Sequence, residues 1–452
     1  MNKRNMTEGA PWRHILRFAV PVLLGSVLQQ LYSTVDTVIV GKCLGEAALS
    51  AVGTTGSFSF LLLAVALGFS AGNGVVVAQY YGAGDEKNVR AAASVGILFL
   101  FGLGAAAALL GVAVARPAYT WLINVPADFL PQTITYYRIY ALGLVFQYGY
   151  NVFSSILRAV GDSRATLLFL LISSVLNILL DLLFVAVFSW GVAGAAAATV
   201  ISQAASCAAA NFYMRRRYPV FRFRFRDYRW SGRLAAQTVK IGFPIAVQMI
   251  VVSLGMTLIQ RAVNGFGRAM TASFTVGQRI ETYLNLPCNA FQTTLATYTG
   301  QNVGAGKTDR IRKGLRQTML ISLGLTLILS AVILLFTPQI ISLFGVSPEA
   351  AGYCLRHLRA VTAVNHLILC LYFPVFGVFQ GTNHSGLPTL VAMCSLSVRV
   401  IVTYLLRYSA FFGYTIIWWN GMFGFSVGFI VTWTFYLTGR WQKSASLTHV
   451  PS

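Results

Sequence analysis

Two aspartates, Asp36 and Asp181, sit inside long apolar stretches of a chain that otherwise keeps acids out of them. Asp36 lies in VLLGSVLQQLYSTVDTVIV and Asp181 in LLFLLISSVLNILLDLLFVAVF, in a protein with 12 Asp and Glu against 34 Lys and Arg. An ionisable side chain in hydrocarbon costs at least about 2.5–3.5 kcal/mol on insertion scales, so such residues usually face a wet cavity and bind or relay an ion there. Helical periodicity groups further polar residues with them. Asn177 and Asp181 are four apart and share one face; Gln29, Tyr32, Ser33 and Asp36 follow i, i+3, i+4 and i+7 and share another. The stretch GVAGAAAATVISQAAS, whose polar member is Thr199, has small residues that allow close backbone approach. If these three stretches pack together, two carboxylates, an amide and a hydroxyl converge. Such a set holds Na⁺ through the oxygens of Asp36, Asn177, Asp181 and Thr199, or shares a proton between carboxylates that titrate as a coupled unit. The structural alternative is that each acid only hydrogen-bonds a neighbouring helix.

The elements that must position these residues are membrane helices. With 56% hydrophobic and 10% charged residues, the chain is not a soluble globular one. Twelve apolar runs are each long enough for a helix spanning a bilayer core of about 30 Å: 14–40, 47–79, 89–115, 133–157, 165–188, 191–214, 235–263, 271–301, 314–336, 352–380, 387–409 and 413–438. None alternates with the period of two expected of barrel strands. The expected fold is an all-α polytopic membrane protein. Segments sharing a side with the N-terminus, from Lys3 and Arg4 to Arg440 and Lys443, hold most of the Lys and Arg. Cytoplasmic loops carry that excess, so both termini are expected in the cytoplasm of a cell whose inner membrane holds the protein.

The same charge explains the net +22 without nucleic acid, since no recognition fold has room here. RRRYPVFRFRFRDYRW, between helices 6 and 7, alternates Arg with aromatic residues and is expected at the headgroup level of an anionic leaflet. The six cysteines form no CxxC or Cys/His cluster, so neither a disulfide framework nor a zinc site is implied. The basic, then apolar, N-terminus is expected to be retained as helix 1 rather than cleaved. No GxSxG, HExxH or P-loop appears, so the chain is not expected to be an enzyme, and no cofactor is expected beyond H⁺ or Na⁺ as a coupling ion.

The chain repeats itself. QYYGAGD at 79–85 matches QNVGAGK at 301–307, and LRAVGDSRAT at 157–166 overlies FQGTNHSGLP at 379–388, both at a shift of 222. FAVP ending at Pro21 matches IGFP ending at Pro244. The expected organisation is two pseudo-symmetric six-helix bundles, 1–214 and 235–452, joined by a basic cytoplasmic linker, 215–234. Parallel repeats of this kind place a substrate site between halves in some transporters. The buried acids do not repeat, because the positions equivalent to Asp181 and Asp36 are Thr403 and Ile259. In the second half, Arg279 and Glu281 can pair with each other or with Arg399, and Glu281 is a candidate substrate contact beside a purely structural reading. His366 and His384 are isolated. Pro21 removes a backbone hydrogen bond in helix 1 and is a candidate bending point.

These residues resemble the multidrug and toxic compound extrusion (MATE) family. The resemblance rests on MTEGAPWRHILRFAVPVLLGSVLQQLYSTVDTVIVGKCLGEAALSAVG, QYYGAGD, ILRAVGDSRATLL, the Asn177/Asp181 pair and GQRIETYLNLP, and covers about 7 to 440. The chain is similar above all to the bacterial subgroup of DNA-damage-inducible and MepA-type proteins. The resemblance implies a secondary antiporter exporting organic cations against inward H⁺ or Na⁺. It carries the ion site onto Asp36, Asn177, Asp181 and Thr199, the bending proline onto Pro21, and cavity-lining polar positions onto Gln29 and Asn151. Tyr32 and Tyr148 would add aromatic faces for a cation. Some members carry a buried acid in helix 7, where this chain has Gln248. The expected partners are small organic cations and the bilayer, and the expected state is a monomer. A flippase for lipid-linked saccharides and a non-transporting membrane scaffold remain the alternatives. The first would need a basic cavity, for which the spans offer only Arg138, Arg279 and Arg399, and the second would leave Asp36 and Asp181 without an energetic reason.

Overall fold

The computed structural model describes residues 5–359 and 363–443. Lys3 and Arg4, the middle of the expected run 352–380 and the last stretch of the expected domain 235–452 lie outside the described residues. Among the described residues twelve helical spans follow in order. Pro11–Gly82 is one helical run interrupted at Gly45 (φ 83°, ψ −174°), which divides it into α1 (11–44) and α2 (46–82). Then come α3 (Glu86–Pro117), α4 (Leu130–Ala159), α5 (Ser163–Asp181), α6 (Gly191–Arg217), α7 (Gly232–Asn264), α8 (Arg268–Gly304) and α9 (Thr308–Ser342). Span α10 is described in two pieces, Pro348–His357 and Ala363–Gly381, followed by α11 (Gly386–Leu406) and α12 (Ile416–Leu437).

Nine helical stretches among the described residues are long and apolar enough to cross a bilayer, and the first, Pro11–Gly82, is long enough for two crossings. The remaining two spans, α4 and α8, are equally long but carry more polar residues, among them Gln147 and Asn151 on α4 and Glu281 on α8. Polar spans must turn that face away from lipid.

The backbone repeats as the sequence does. Left-handed φ values occur at Gly45 and Gly267, Gly84 and Gly306, Gly161 and Asn383, and Gly191 and Gly413, each pair 222 residues apart. Such a conformation suits glycine, and asparagine tolerates it best among the others. Each pair ends or starts corresponding helices. The helix run passes through Pro21 without a break, so the local departure from helical geometry in this run is at Gly45.

Two compact units form, and their limits differ from the expected 1–214 and 235–452. One comprises Asn5 and Val20–Ala246; the other comprises Met6–Ala19 and Val247 onward. The first unit therefore takes the opening stretch of α7. Gly68 and Gly72 of α2 explain this: a Cβ on Gly72 would lie 2.6 Å from Thr238 O and 2.7 Å from Gly242 N, so only glycines let these backbones meet. In that unit α4 packs on α3 and α6, and α5 on α6. The second unit takes the lead-in to α1 through hydrogen bonds. Arg310, on the first turn of α9, donates to Met6 O (3.1 Å), Glu8 O (3.2 Å), Gly9 O (2.9 Å) and Asn302 Oδ1 (3.1 Å). Lys307 Nζ donates to Thr7 O at 3.1 Å and Met6 N to Gln301 Oε1 at 2.9 Å. Here α10 packs on α8 and α9, and α11 on α12. The unit boundaries thus fall beside the repeat-related prolines, Pro21 and Pro244.

Candidate functional site

In the first unit, α1, α5 and α6 bring together four residues singled out from the sequence. Asn177 and Asp181 are fully buried and Thr199 nearly so. The carboxyl groups of Asp36 and Asp181 lie within hydrogen-bonding reach of each other. In the orientation that satisfies both ends of the Asn177 amide, its nitrogen donates to Asp181 Oδ2 at 2.8 Å and its oxygen accepts from the Thr199 backbone N–H at 3.2 Å. Thr199 Oγ1 donates to Ala195 O at 3.1 Å. Tyr32, four residues before Asp36, lies beside Thr199 and within electrostatic reach of both carboxyl groups.

One oxygen is left over. Asp181 Oδ1 is buried and has no donor among the described residues. Two ionised carboxylates are acceptors only, so a contact between them becomes attractive when a proton or a cation sits between. Asp181 is also the last residue of α5 before the helix widens into a π-helical turn, Leu182–Val187. Such turns are rare and recur at functional sites.

Beside this pair lies a cavity of about 260 Å³. Pro21, Gln29, Tyr32 and Asn151 line it, as do Gln147, Gln203 and Arg158. Tyr32 both lines the cavity and lies within electrostatic reach of Asp36 and Asp181, so one side chain connects the two features. Tyr148 does not share this role; it is buried and donates to Leu62 O at 2.7 Å, against α2.

Glu281 belongs to the second unit and does not line this cavity. The expected pairing with Arg279 does not form, because neighbours two apart on a helix point to different faces; Arg279 is exposed while Glu281 is half-buried. Glu281 Oε1 instead lies 3.5 Å from His357 Nε2, and the His357 ring stacks on Trp418 at 5.8 Å. Arg399 is near Glu281 and donates from Nε to Asn420 Oδ1 at 2.9 Å. His366 is buried near His357. His384 lies 3.3 Å from Thr382 Oγ1 and against Phe435.

Comparison with known proteins decides the family. The MatE family model matches residues 21–183 and 244–405, one stretch in each half of the repeat. The chain belongs to the MatE family. As a MatE protein it is a multi-pass membrane efflux transporter and not an enzyme. It is 28% identical to the probable multidrug resistance protein YpnP of Bacillus subtilis, over 99% of this chain and all of that protein. It is 22% identical to the multidrug export protein MepA of Staphylococcus saprophyticus, over 91% of this chain and 90% of that protein. Its fold superposes on an outward-facing multidrug resistance MATE family transporter of the MOP superfamily with a TM-score of 0.92 and 23% identity, over 98% of this chain and 99% of that one. The MatE fold accordingly has twelve helices in two bundles.

Sequence reading missed several residues of this MatE site. Tyr136 lies within electrostatic reach of both Asp36 and Asp181. Tyr140 stacks parallel to Tyr136 and donates to Gln147 Oε1 at 3.3 Å. Tyr136, Tyr140, Gln147 and Asn151 fall on one face of α4. The unusual polarity of that span was the signal available for them. His357 carried no local signal, since its partners come from α8 and α12.

Proposed function

We propose that this MatE transporter exports organic cations in exchange for protons, and that Asp36 and Asp181 form the site where the two compete. The observation that carries the reading is the carboxyl–carboxyl contact with Asp181 Oδ1 buried and lacking a protein donor. A proton shared by the pair satisfies that oxygen. Losing it leaves negative charge that attracts a cation in the neighbouring cavity, where Gln29, Tyr32 and Asn151 would contact the substrate. The face of Tyr32 would contribute about 0.5–2 kcal/mol to a bound cation. Pro21, which also lines the cavity, would be the position where α1 bends as the pair changes charge. Glu281 remains a candidate substrate contact of the second unit.

Na⁺ is the second reading. A hard cation needs a shell of oxygens, and Asp36, Asp181 and Thr199 offer them. Asn177 offers one only by turning its oxygen toward the acids and giving up its bond to the Thr199 backbone. That cost favours the proton.

The reading extends to a monomer in the cell membrane, with both termini in the cytoplasm and no nucleic-acid partner. Asp36→Asn and Asp181→Asn test it. At matched membrane levels each should abolish dye efflux driven by a pH gradient in vesicles, where the wild type responds to that gradient alone. Normal efflux by both variants would remove the ion-site assignment, and efflux that needs a Na⁺ gradient would replace the proton with Na⁺.

A further inference from the structure

The connection between α6 and α7 builds a second charged site in the first unit. Helix α6 ends in Arg215, Arg216 and Arg217, and the chain continues through two short 3₁₀ turns, Pro219–Phe221 and Phe225–Asp227. Phe221 and Phe223 are buried in the main apolar core of the unit and fasten the segment. Arg90, near the start of α3, fixes its path. Its guanidinium donates to Arg222 O at 2.9 Å, Val220 O at 3.4 Å and Asp227 Oδ2 at 2.6 Å, and lies 5.2 Å over the Phe223 ring. Arg215 donates to Phe223 O at 2.9 Å, and Arg222 Nε to Arg215 O at 3.3 Å.

The outcome is a cleft of about 1020 Å³ lined by Arg90, Arg215, Arg216, Arg222 and Arg224. Asp227, the carboxylate that also lines it, is already paired with Arg90. Holding five guanidinium groups around one cleft works against their mutual repulsion, and an anion with several oxygens relieves it. Arginine's planar fork matches phosphate oxygens two at a time.

The rim indicates where that phosphate comes from. Phe212 lines the cleft, is 64% exposed, and carries Arg216 over its ring at 5.7 Å. Trp230, at the far end of the same segment, is 57% exposed. Exposed aromatic rings at the end of a membrane span sit at the headgroup level. We propose that this cleft binds the phosphate of an anionic phospholipid headgroup, with Arg216 and Arg224 as direct contacts.

The test uses the full-length protein extracted from membranes containing both phosphatidylglycerol and phosphatidylcholine, with co-purifying lipid counted by native mass spectrometry. The wild type should retain phosphatidylglycerol in preference. R216Q/R224Q should lower that retention by about tenfold or more, since losing even one direct hydrogen bond to a charged phosphate acts with about the strength of a tenfold change. The matched control is R217Q/R226Q, which removes the same charge from two exposed arginines of the same segment that do not line the cleft; it should keep the preference. Equal loss in the control would mean a diffuse surface field and would overturn the site, as would full retention by R216Q/R224Q. If that variant does not purify, R216K/R224K keeps the charge and removes the fork, and should retain less lipid than the wild type; unchanged retention would count against the proposal. Inorganic phosphate supplies the last arm. It should not displace the lipid at millimolar concentration, and displacement would reassign the cleft to a soluble phosphate ligand.

Discussion

Asn177 holds Asp181 by one oxygen: the amide nitrogen donates to Oδ2 at 2.8 Å while the amide oxygen accepts the Thr199 backbone N–H at 3.2 Å. The amide therefore ties α5 to α6 and leaves Asp181 Oδ1 without a donor among the described residues. The second acid, Asp36, comes from a third helix, α1.

Removing that amide should be felt in both stability and transport. Asn177→Ala leaves Asp181 Oδ2 and the Thr199 N–H without their partner in a buried site, a loss of about 1–3 kcal/mol. A lower thermal midpoint together with reduced coupled efflux is the expected result. An unchanged midpoint and unchanged efflux would show that the amide is a bystander.

Arg310 is expected to govern the lead-in to α1. Its guanidinium holds three backbone carbonyls of residues 6–9 within the second unit. Arg310→Gln removes these bonds, of which only the one to Met6 O is partly buried, and should expose residues 5–10 to limited proteolysis. Cleavage there at the wild-type rate would contradict the clamp.

How much of this was legible in the sequence depends on the distance over which each feature is determined. The repeat was legible because turns are local: QYYGAGD and QNVGAGK each place a glycine in a left-handed turn, at Gly84 and Gly306. The pairing of Asn177 with Asp181 was legible because both lie on one helix. The unit limits were not. They depend on Gly72 meeting the backbone of α7 and on Arg310 finding backbone carbonyls, and carbonyls have no sequence signature. Tyr148 was misplaced for a similar reason. A tyrosine on a polar helix can face a cavity or a neighbouring helix, and here its hydroxyl is taken by Leu62 O.

The glycine contact supplies a direct test of the first unit's limits. Gly72→Ala puts a methyl 2.6 Å from Thr238 O and 2.7 Å from Gly242 N, both backbone atoms that cannot rotate away. Overpacking of this kind costs about 1–3 kcal/mol. A lowered thermal midpoint is expected. Gly56→Ala, where a Cβ meets nothing within 4 Å, serves as the control and should be near neutral.

The linker should respond to acid. Asp227 accepts the Arg224 backbone N–H at 2.7 Å and pairs with Arg90, and these hold its carboxyl below the usual carboxylate range. A depressed carboxyl contributes its stabilisation above the ordinary value, and that contribution is lost as pH falls through the lowered one. Proteolysis within 219–231 should therefore rise on acidification below the ordinary aspartate range. Asp227→Asn should be more susceptible at neutral pH and lose most of the pH dependence. A wild-type linker whose cleavage is independent of pH would rule out the Arg90–Asp227 tie as its anchor.

The central claim, that substrate and proton compete at Asp36 and Asp181, is tested most directly by proton release. Coupling is reciprocal, so a cation that binds more tightly to the deprotonated pair must expel its proton, with a coupling of about 1–3 kcal/mol or roughly 5–150-fold. Purified protein in weakly buffered solution is titrated with a fluorescent organic cation while the pH of the solution is followed. The wild type should acidify the solution as the cation binds, and Asp36→Asn and Asp181→Asn should bind without acidifying it. Saturable binding to the wild type across the pH range with no proton released would contradict the account.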